Sequence, residues 1–205
     1  MLRMVLDAPR ARLRPEHVPL PDCGSGEVLI RVEACGVCRT DLHLQDAELA
    51  SATYPRVPGH QAVGRIVAAG PGAVLAPGTR VGVPWLASTC GHCRYCRSGQ
   101  ENLCEDAHFH GCDVDGGYAT HMLADSRYCI ALDERLQAAE ATPLLCAGLI
   151  GFRTLRMAGA AGSIGIYGFG SAAHLITQLA LHEGRRILAF TRPGDTMAQD
   201  FARGL

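Results

Sequence analysis

Four cysteines that lie close together constrain the fold of this chain more than any other feature. They are Cys90, Cys93, Cys96 and Cys104, and their spacing is C-x2-C-x2-C-x7-C. Four thiolates on one short segment can complete a tetrahedral shell around Zn²⁺, with Zn–S bonds of about 2.3 Å. Because such a shell leaves no position for a substrate, the spacing predicts a structural zinc site in residues 90–104, the four-cysteine lobe. The alternative is a set of disulfides or unrelated core cysteines.

Composition narrows the class of protein. The chain has 205 residues, of which 48% are hydrophobic and 19% are charged, so we expect a globular protein of one domain plus part of another. The net charge of −1 argues against nucleic acid or an anionic membrane as the main partner. The sequence shows neither a secretory signal nor an apolar run that could span a membrane. Ten cysteines then favour a reducing compartment, and we expect a cytoplasmic protein.

The first two thirds of the chain read as β structure. Short apolar runs such as Val28–Ala34 and Ala62–Ala69 alternate with Gly- and Pro-rich turns, a pattern typical of a barrel-like β domain. Near residue 133 the pattern changes, and Asp133–Leu145 is predicted to be helical.

A Gly-rich turn near the end of the chain has the form of a dinucleotide-binding fingerprint. Gly168, Gly170 and Ala173 fit G-x-G-x-x-G/A between a predicted strand at 163–167 and a predicted helix at 174–183. The two glycines permit a tight turn and a close approach of backbone amides to a pyrophosphate. The sequence therefore predicts a nucleotide cofactor here, and a merely structural turn is the alternative.

The position that distinguishes NAD-binding from NADP-binding sites is expected at the end of a second predicted strand, 186–191. An acidic residue there would bind the ribose 2′-hydroxyl, but the chain has Thr191 and Arg192. An arginine can pair with a 2′-phosphate, which favours NADP over NAD. The alternative is that Arg192 is simply a solvated strand end.

Several independent motifs occur in an order that resembles one known family. They are the C-x2-C pair of Cys35 and Cys38, the Gly59-His60 pair, the four-cysteine lobe, Cys146-Ala147-Gly148 and the Gly168 turn. The chain thereby resembles the zinc-dependent alcohol dehydrogenases of the medium-chain dehydrogenase/reductase family. The resemblance implies an α+β / α/β fold, with a GroES-like β-barrel catalytic domain in residues 1–145. An incomplete Rossmann domain, with its first βαβ unit only, would follow in residues 146–205.

The resemblance also implies a second zinc ion, so that the chain would bind two. In the family the catalytic zinc takes ligands that correspond to Cys38, His60 and Cys146. Three protein ligands leave a fourth position open for an alcohol, whose pKa the zinc lowers so that the alkoxide can transfer hydride to NAD(P). The implied substrate is a small primary or secondary alcohol, or the corresponding aldehyde or ketone.

Further roles carry over from the family to single residues. Thr40 and His43 match a relay that takes the alcohol proton to solvent, and Asp41 matches the carboxylate that orients the histidine ligand. Arg39 matches a pyrophosphate contact and Trp85 a wall of the substrate pocket. The alternatives are helix-capping Thr and Asp residues, a surface histidine and an ordinary core tryptophan.

Two departures from the family pattern bear on activity. Gln61 stands where many members carry glutamate, so a step that needs a carboxylate near the metal is in doubt. The sequence also ends after two strands of a domain that usually has six. We therefore expect a fragment of a longer enzyme or a truncated product with impaired activity, in which the homo-oligomer usual for the family is doubtful. A non-catalytic zinc-binding module is the alternative, and the retained ligand cysteines argue against a zinc-free quinone reductase.

Overall fold

The computed structural model describes residues 1–50 and 52–205. Within these residues the chain forms two compact units, Met1–Leu145 and Cys146–Leu205. None of the helices in the described ranges combines the length and the hydropathy needed to cross a membrane.

The first unit is built mainly of short antiparallel strands. They are β1 (Leu2–Val5), β2 (Arg14–His17), β3 (Glu27–Cys35), β4 (Ala62–Ala69), β5 (Arg80–Val83), β6 (Leu86–Ser88), β7 (His108–Phe109), β8 (His121–Asp125) and β9 (Ile130–Ala131). Five of them form one sheet in the order β8-β3-β4-β5-β9, and β1–β2 and β6–β7 form two-stranded sheets. The predicted β structure of this part of the chain is confirmed, with the two quoted runs lying in β3 and β4.

The central strand β4 is buried on both faces along its first three residues, Ala62 to Gly64. One face joins a core cluster of Val28, Ile30, Ala62, Ile66, Val81, Val83, Met122 and Ala124. On the other face Val63 packs with Ala141 and Leu145. Leu145 comes so close to Gly82 that a Cβ atom on this glycine would lie 2.6 Å from Leu145 Cδ2. This packing fixes Leu145, the last residue of the first unit, and thus the point from which Cys146 continues.

The predicted helix at 133–145 was wrong over its first part. The helices of this unit are α1 (Arg39–Gln45), α2 (Arg94–Arg97) and α3 (Ala138–Ala141), and 3₁₀ turns occupy Glu101–Leu103, Ser126–Tyr128 and Thr142–Leu145. The buried guanidinium of Arg80 donates to the carbonyl oxygens of Asp133, at 2.9 Å, and Leu136, at 2.6 Å. A helix beginning at Asp133 would need both carbonyls for its own hydrogen bonds, so the helix begins later.

The second unit contains the predicted βαβ arrangement. Its elements are α4 (Ala147–Met157), β10 (Ser163–Tyr167), α5 (Ser171–His182), β11 (Arg186–Phe190) and α6 (Thr196–Arg203). Strands β10 and β11 pair in parallel, with Ser163 opposite Arg186. Helices α4 and α5 approach closely at Gly151, where a Cβ atom would lie 2.5 Å from Ile176 Cγ2.

Candidate metal centres and nucleotide-binding turn

The four thiols of the four-cysteine lobe converge on one point. The Sγ atoms of Cys93 and Cys96 are 3.5 Å apart, those of Cys90 and Cys104 3.6 Å, and those of Cys90 and Cys96 3.9 Å. A regular tetrahedron with Zn–S bonds of about 2.3 Å has S···S edges of about 3.8 Å. A disulfide would need about 2.05 Å, and all ten cysteines are free thiols. The geometry therefore fits a structural zinc and excludes the disulfide alternative.

Backbone N–H groups of the lobe point at two of its four sulfur atoms. The N–H of Cys93 points at Cys90 Sγ, at 3.3 Å, and the N–H of Cys96 at Cys93 Sγ, at 3.5 Å. Backbone N–H groups of His92 and Cys93 lower the pKa of Cys90 to about 6. Gly91, with φ of +73°, turns the chain between the first two thiols in a conformation that residues with a Cβ atom rarely adopt. Thiolates are the form in which cysteine ligates zinc.

A second cluster of polar groups is organised around the carboxylate of Asp41. This residue lies in the first turn of α1 and is 8% exposed. Its Oδ2 accepts hydrogen bonds from the N–H of Cys38, at 2.8 Å, and the hydroxyl of Tyr118, at 3.0 Å. Its Oδ1 accepts from the N–H of Gly59 and from Nδ1 of His60, each at 3.2 Å. One carboxylate thus ties together three separate segments of the chain.

These bonds define the protonation of Asp41 and His60. Burial acts against ionisation of Asp41, but the contacts with His60, the Cys38 N–H and the Tyr118 hydroxyl lower its pKa below the usual value. An ionised carboxylate can only accept hydrogen bonds, so Nδ1 of His60 carries the proton. His60 is 5% exposed, and because Nδ1 is engaged by Asp41, Nε2 is the ring nitrogen that remains to bind a metal, which it does in the neutral imidazole form.

The loop that carries His60 is held by backbone hydrogen bonds from the glycine-rich segment 116–118, which lies between β7 and β8. The N–H groups of Gly116, Gly117 and Tyr118 donate to the carbonyls of Val57 (2.7 Å), Gly59 (2.8 Å) and Pro58 (3.0 Å), respectively. Gly59 has φ of +97°, and a Cβ atom there would lie 2.6 Å from the Tyr118 ring and 2.9 Å from Cys35 Sγ. Cys35 is partly buried, and burial raises the pKa of its thiol to about 12, which makes it a packing group.

Three groups with zinc-binding side chains meet beside this cluster. Cys38 lies at the start of α1. Burial opposes ionisation of its thiol, but the Thr40 N–H and the His60 side chain together lower the pKa below the usual value. Cys146 directly follows the anchored Leu145. The ligand atoms of Cys38, His60 and Cys146 lie within 4.8 Å of one another. A Cys2His set of this kind fits a zinc ion with an open fourth position.

The remaining predicted site residues, Thr40, His43, Arg39 and Trp85, have the following surroundings. Thr40 is exposed, and its Oγ1 is 3.9 Å from Cys38 Sγ. His43, one turn further along α1, forms a hydrogen bond through Nδ1 with the Glu48 carboxylate. Arg39 is exposed at the start of α1. Trp85 is partly buried and packs on Phe109 with ring centroids 4.8 Å apart, so its role in a substrate pocket stays a prediction.

The Gly-rich turn has the features of an anion-binding turn. Gly168 has φ of +86°, and Gly170 immediately precedes α5. A Cβ atom on either glycine would meet nothing within 4 Å, and no side chain in residues 1–50 and 52–205 caps the helix. The N–H groups of the first turn of α5 are thus available to a phosphate, and buried Ala173 allows the helix to pack closely. Arg192 is exposed just after β11, and its guanidinium has no ion pair within the described ranges.

Two contributors to the site were missed by reasoning from the sequence. Tyr118 is 77 positions from Asp41, and no local pattern connects them. Glu48 lies beyond the end of α1, and it reaches His43 because Ala47 adopts φ of +63° and the Glu48 N–H bonds to the His43 carbonyl at 2.9 Å. An alanine in that conformation has no sequence signature.

Comparison with known proteins points in one direction. The family model described as the alcohol dehydrogenase GroES-like domain matches residues 24–134. An alcohol dehydrogenase of Geobacillus stearothermophilus is 41% identical over 193 residues, which are 92% of this chain and 57% of the relative. A probable alcohol dehydrogenase of Mycobacterium tuberculosis is 42% identical over 184 residues, 86% of this chain and 53% of the relative. The chain therefore spans little more than half the length of these relatives.

Solved structures agree with this comparison. One of them is the structure of CAD from Helicobacter pylori complexed with NADP(H), which superposes on this chain with a TM-score of 0.89 at 25% sequence identity. The superposition covers 100% of this chain and 62% of the Helicobacter protein. These similarities confirm the predicted fold class, a GroES-like β domain followed by the start of a Rossmann domain.

Proposed function

Because the chain belongs to the zinc-type medium-chain alcohol dehydrogenases, we propose that it carries the catalytic centre of an enzyme that transfers hydride between an alcohol and NAD(P). Residues 1–145 are the zinc-binding catalytic domain, and residues 146–205 begin the cofactor-binding domain. The substrate class is a small alcohol or the corresponding aldehyde or ketone.

The observation that carries this proposal is the Cys38, His60 and Cys146 set next to the ionised Asp41. A protein that needs only a structural zinc would require the four-cysteine lobe alone. It would need neither a second group of ligands nor a carboxylate that fixes the tautomer of a histidine ligand. When bound at the second group, zinc supplies Lewis-acid polarisation of a substrate oxygen. Asp41 keeps Nδ1 of His60 protonated, and Nε2 is then the ligand atom.

The chain's own residues supply a path for the substrate proton. The exposed Thr40 hydroxyl lies beside Cys38, and His43 is on the same face of α1, three residues further on. We assign Thr40 as the hydroxyl that accepts the alcohol proton while releasing its own proton toward His43, the base that passes it to solvent. Glu48 holds the His43 ring by its hydrogen bond to Nδ1, which leaves Nε2 as the proton acceptor.

The proposed cofactor is a nicotinamide dinucleotide. Its pyrophosphate would bind at Gly168, Gly170 and the start of α5, with Ala173 allowing close packing and Arg39 as a further contact. Arg192 favours NADP over NAD, because it stands without an ion pair in the described part of the chain where a 2′-phosphate would lie.

The test is the zinc content of the purified 205-residue chain after a chelator wash, followed by an assay of NADP-linked aldehyde reduction. Two zinc ions per chain are expected, and the variant with Cys38 replaced by serine should retain one. A wild-type chain that binds one zinc ion, unchanged by C38S, contradicts the proposal and leaves a zinc-binding module. A two-zinc chain that binds no dinucleotide contradicts the cofactor assignment alone.

A further inference from the structure

Tyr118 is a half-buried tyrosine that belongs to neither of the two candidate sets of metal ligands. It donates to Asp41 Oδ2 at 3.0 Å, on the oxygen opposite the one that holds His60. Burial, followed by the negative charge of Asp41, raises the pKa of Tyr118, so the hydroxyl stays protonated and remains a donor. We propose that Tyr118 is a positioning residue for the histidine ligand and acts through Asp41; this inference rests on the proposed function.

The arrangement of donors around Asp41 shows why this hydroxyl matters. Of the four donors, those from Cys38 and Gly59 are backbone N–H groups and that from His60 belongs to the ligand itself. Among the described residues, Tyr118 is therefore the one side chain outside the ligand set that donates a hydrogen bond to this carboxylate. Without the hydroxyl, Oδ2 keeps only the Cys38 N–H, so the carboxylate is held less firmly in the orientation that meets His60.

Tyr118 is itself rigidly held, which allows it to position another group. Its N–H donates to the Pro58 carbonyl at 3.0 Å. Its ring lies against Gly59, where a Cβ atom would come within 2.6 Å of ring carbon Cδ1. The tyrosine thus contacts the loop that carries His60 with its backbone and ring, and the carboxylate that orients His60 with its hydroxyl. A group that supports a metal-binding histidine through a carboxylate commonly affects metal affinity.

The decisive variant is Tyr118→Phe, which keeps the ring and removes only the hydroxyl. We expect zinc to bind the Cys38, His60 and Cys146 site about three- to tenfold more weakly, measured by competition with a chromophoric chelator. The four-cysteine lobe, which lies outside this hydrogen-bond network, serves as an internal reference and should keep its affinity. With Co²⁺ in place of zinc, the absorption bands of the Cys2His site should shift in this variant.

A matched control is Tyr54→Phe. Tyr54 also donates one hydrogen bond to α1, but to the backbone carbonyl of Leu44, at 2.6 Å. This variant should leave both zinc affinities at wild-type values. If Tyr118 served only packing, Y118F and Y54F would behave alike in the competition experiment, and any difference would be confined to the melting temperature.

A double-mutant cycle tests whether Tyr118 acts through Asp41. In an Asp41→Asn background, Y118F should produce no further loss of zinc affinity, since the group it positions is already altered. An equal loss in both backgrounds, or wild-type affinity in Y118F alone, overturns the inference while the proposed function stands. A wild-type chain that binds a single zinc ion overturns the proposed function, and the inference fails with it.

Discussion

Asp41 accepts a hydrogen bond from Nδ1 of His60 across 19 positions of sequence, with both side chains buried. Asp41 sits in the first turn of α1, and His60 follows a loop held by Gly116, Gly117 and Tyr118. The hydrogen bond therefore joins helix α1 to the loop that carries His60, two segments that are positioned by different parts of the fold.

Replacing Asp41 by asparagine should weaken zinc binding at the second metal site by about 10- to 100-fold. An asparagine side chain can present its NH2 group to Nδ1, so the histidine tautomer is no longer fixed. The measurement is chelator competition on the purified variant. Asp46→Asn, at the exposed end of the same helix, is the control and should bind zinc as the wild type does. Equal affinities in the two variants would show that the Asp41 contact is not needed for the site.

Replacing Cys104 by serine should remove one zinc ion from the four-cysteine lobe and lower the melting temperature, because the lobe has little packing of its own. The metal content and a thermal unfolding curve are measured together. Cys23→Ser is the control, since Cys23 belongs to neither group of candidate ligands. A C104S chain that retains its full zinc content contradicts the assignment of the structural site.

Gly59→Ala should destabilise the first unit more than Gly26→Ala does. Both glycines have positive φ, of +97° and +77°, and an alanine in that conformation costs roughly 1–2 kcal/mol. At Gly26 a Cβ atom meets nothing within 4 Å, whereas at Gly59 it lies 2.6 Å from the Tyr118 ring. The difference between the two urea unfolding free energies therefore isolates the clash. Equal losses of unfolding free energy in the two variants would mean that the Tyr118 ring moves aside without destabilising the protein.

Arg192→Ala should weaken binding of NADPH about tenfold relative to NADH. The charged pair between a guanidinium and a 2′-phosphate is lost, while NADH has no phosphate at that position. Fluorescence titration of the same variant with the two nucleotides provides its own reference. If both affinities change equally, Arg192 is a solvated strand end.

The parts of the site that were predictable from the sequence are those with a local signature. The spacing from Cys90 to Cys104 and the turn at Gly168 are recognisable because each ligand or turn residue lies a few positions from the next. Tyr118 and Glu48 were not predictable, since they reach Asp41 and His43 through the fold and through a positive φ at Ala47. The helix expected at 133–145 was shortened by Arg80, a tertiary contact that overrides local helix propensity.

The last prediction concerns His110, which is 3% exposed and donates from Nδ1 to the Pro84 carbonyl at 3.0 Å. Burial lowers its pKa from 6.5 to about 4, so the folded protein keeps the ring neutral where the unfolded chain would protonate it. Below pH 6.5 the unfolded state binds more protons than the folded state, and stability falls as the pH falls.

From these values, His110 should cost the wild-type protein about 2 kcal/mol of unfolding free energy between pH 7 and pH 5. His110→Asn retains a donor for the Pro84 carbonyl and has no group that titrates in this range. Urea unfolding of both proteins at pH 7, 6 and 5, at constant ionic strength and metal content, gives the two pH profiles. The wild-type profile should fall more steeply by the stated amount. Parallel profiles would mean that the folded protein accommodates a protonated His110, and the buried ring would then have access to a counter-charge or to water.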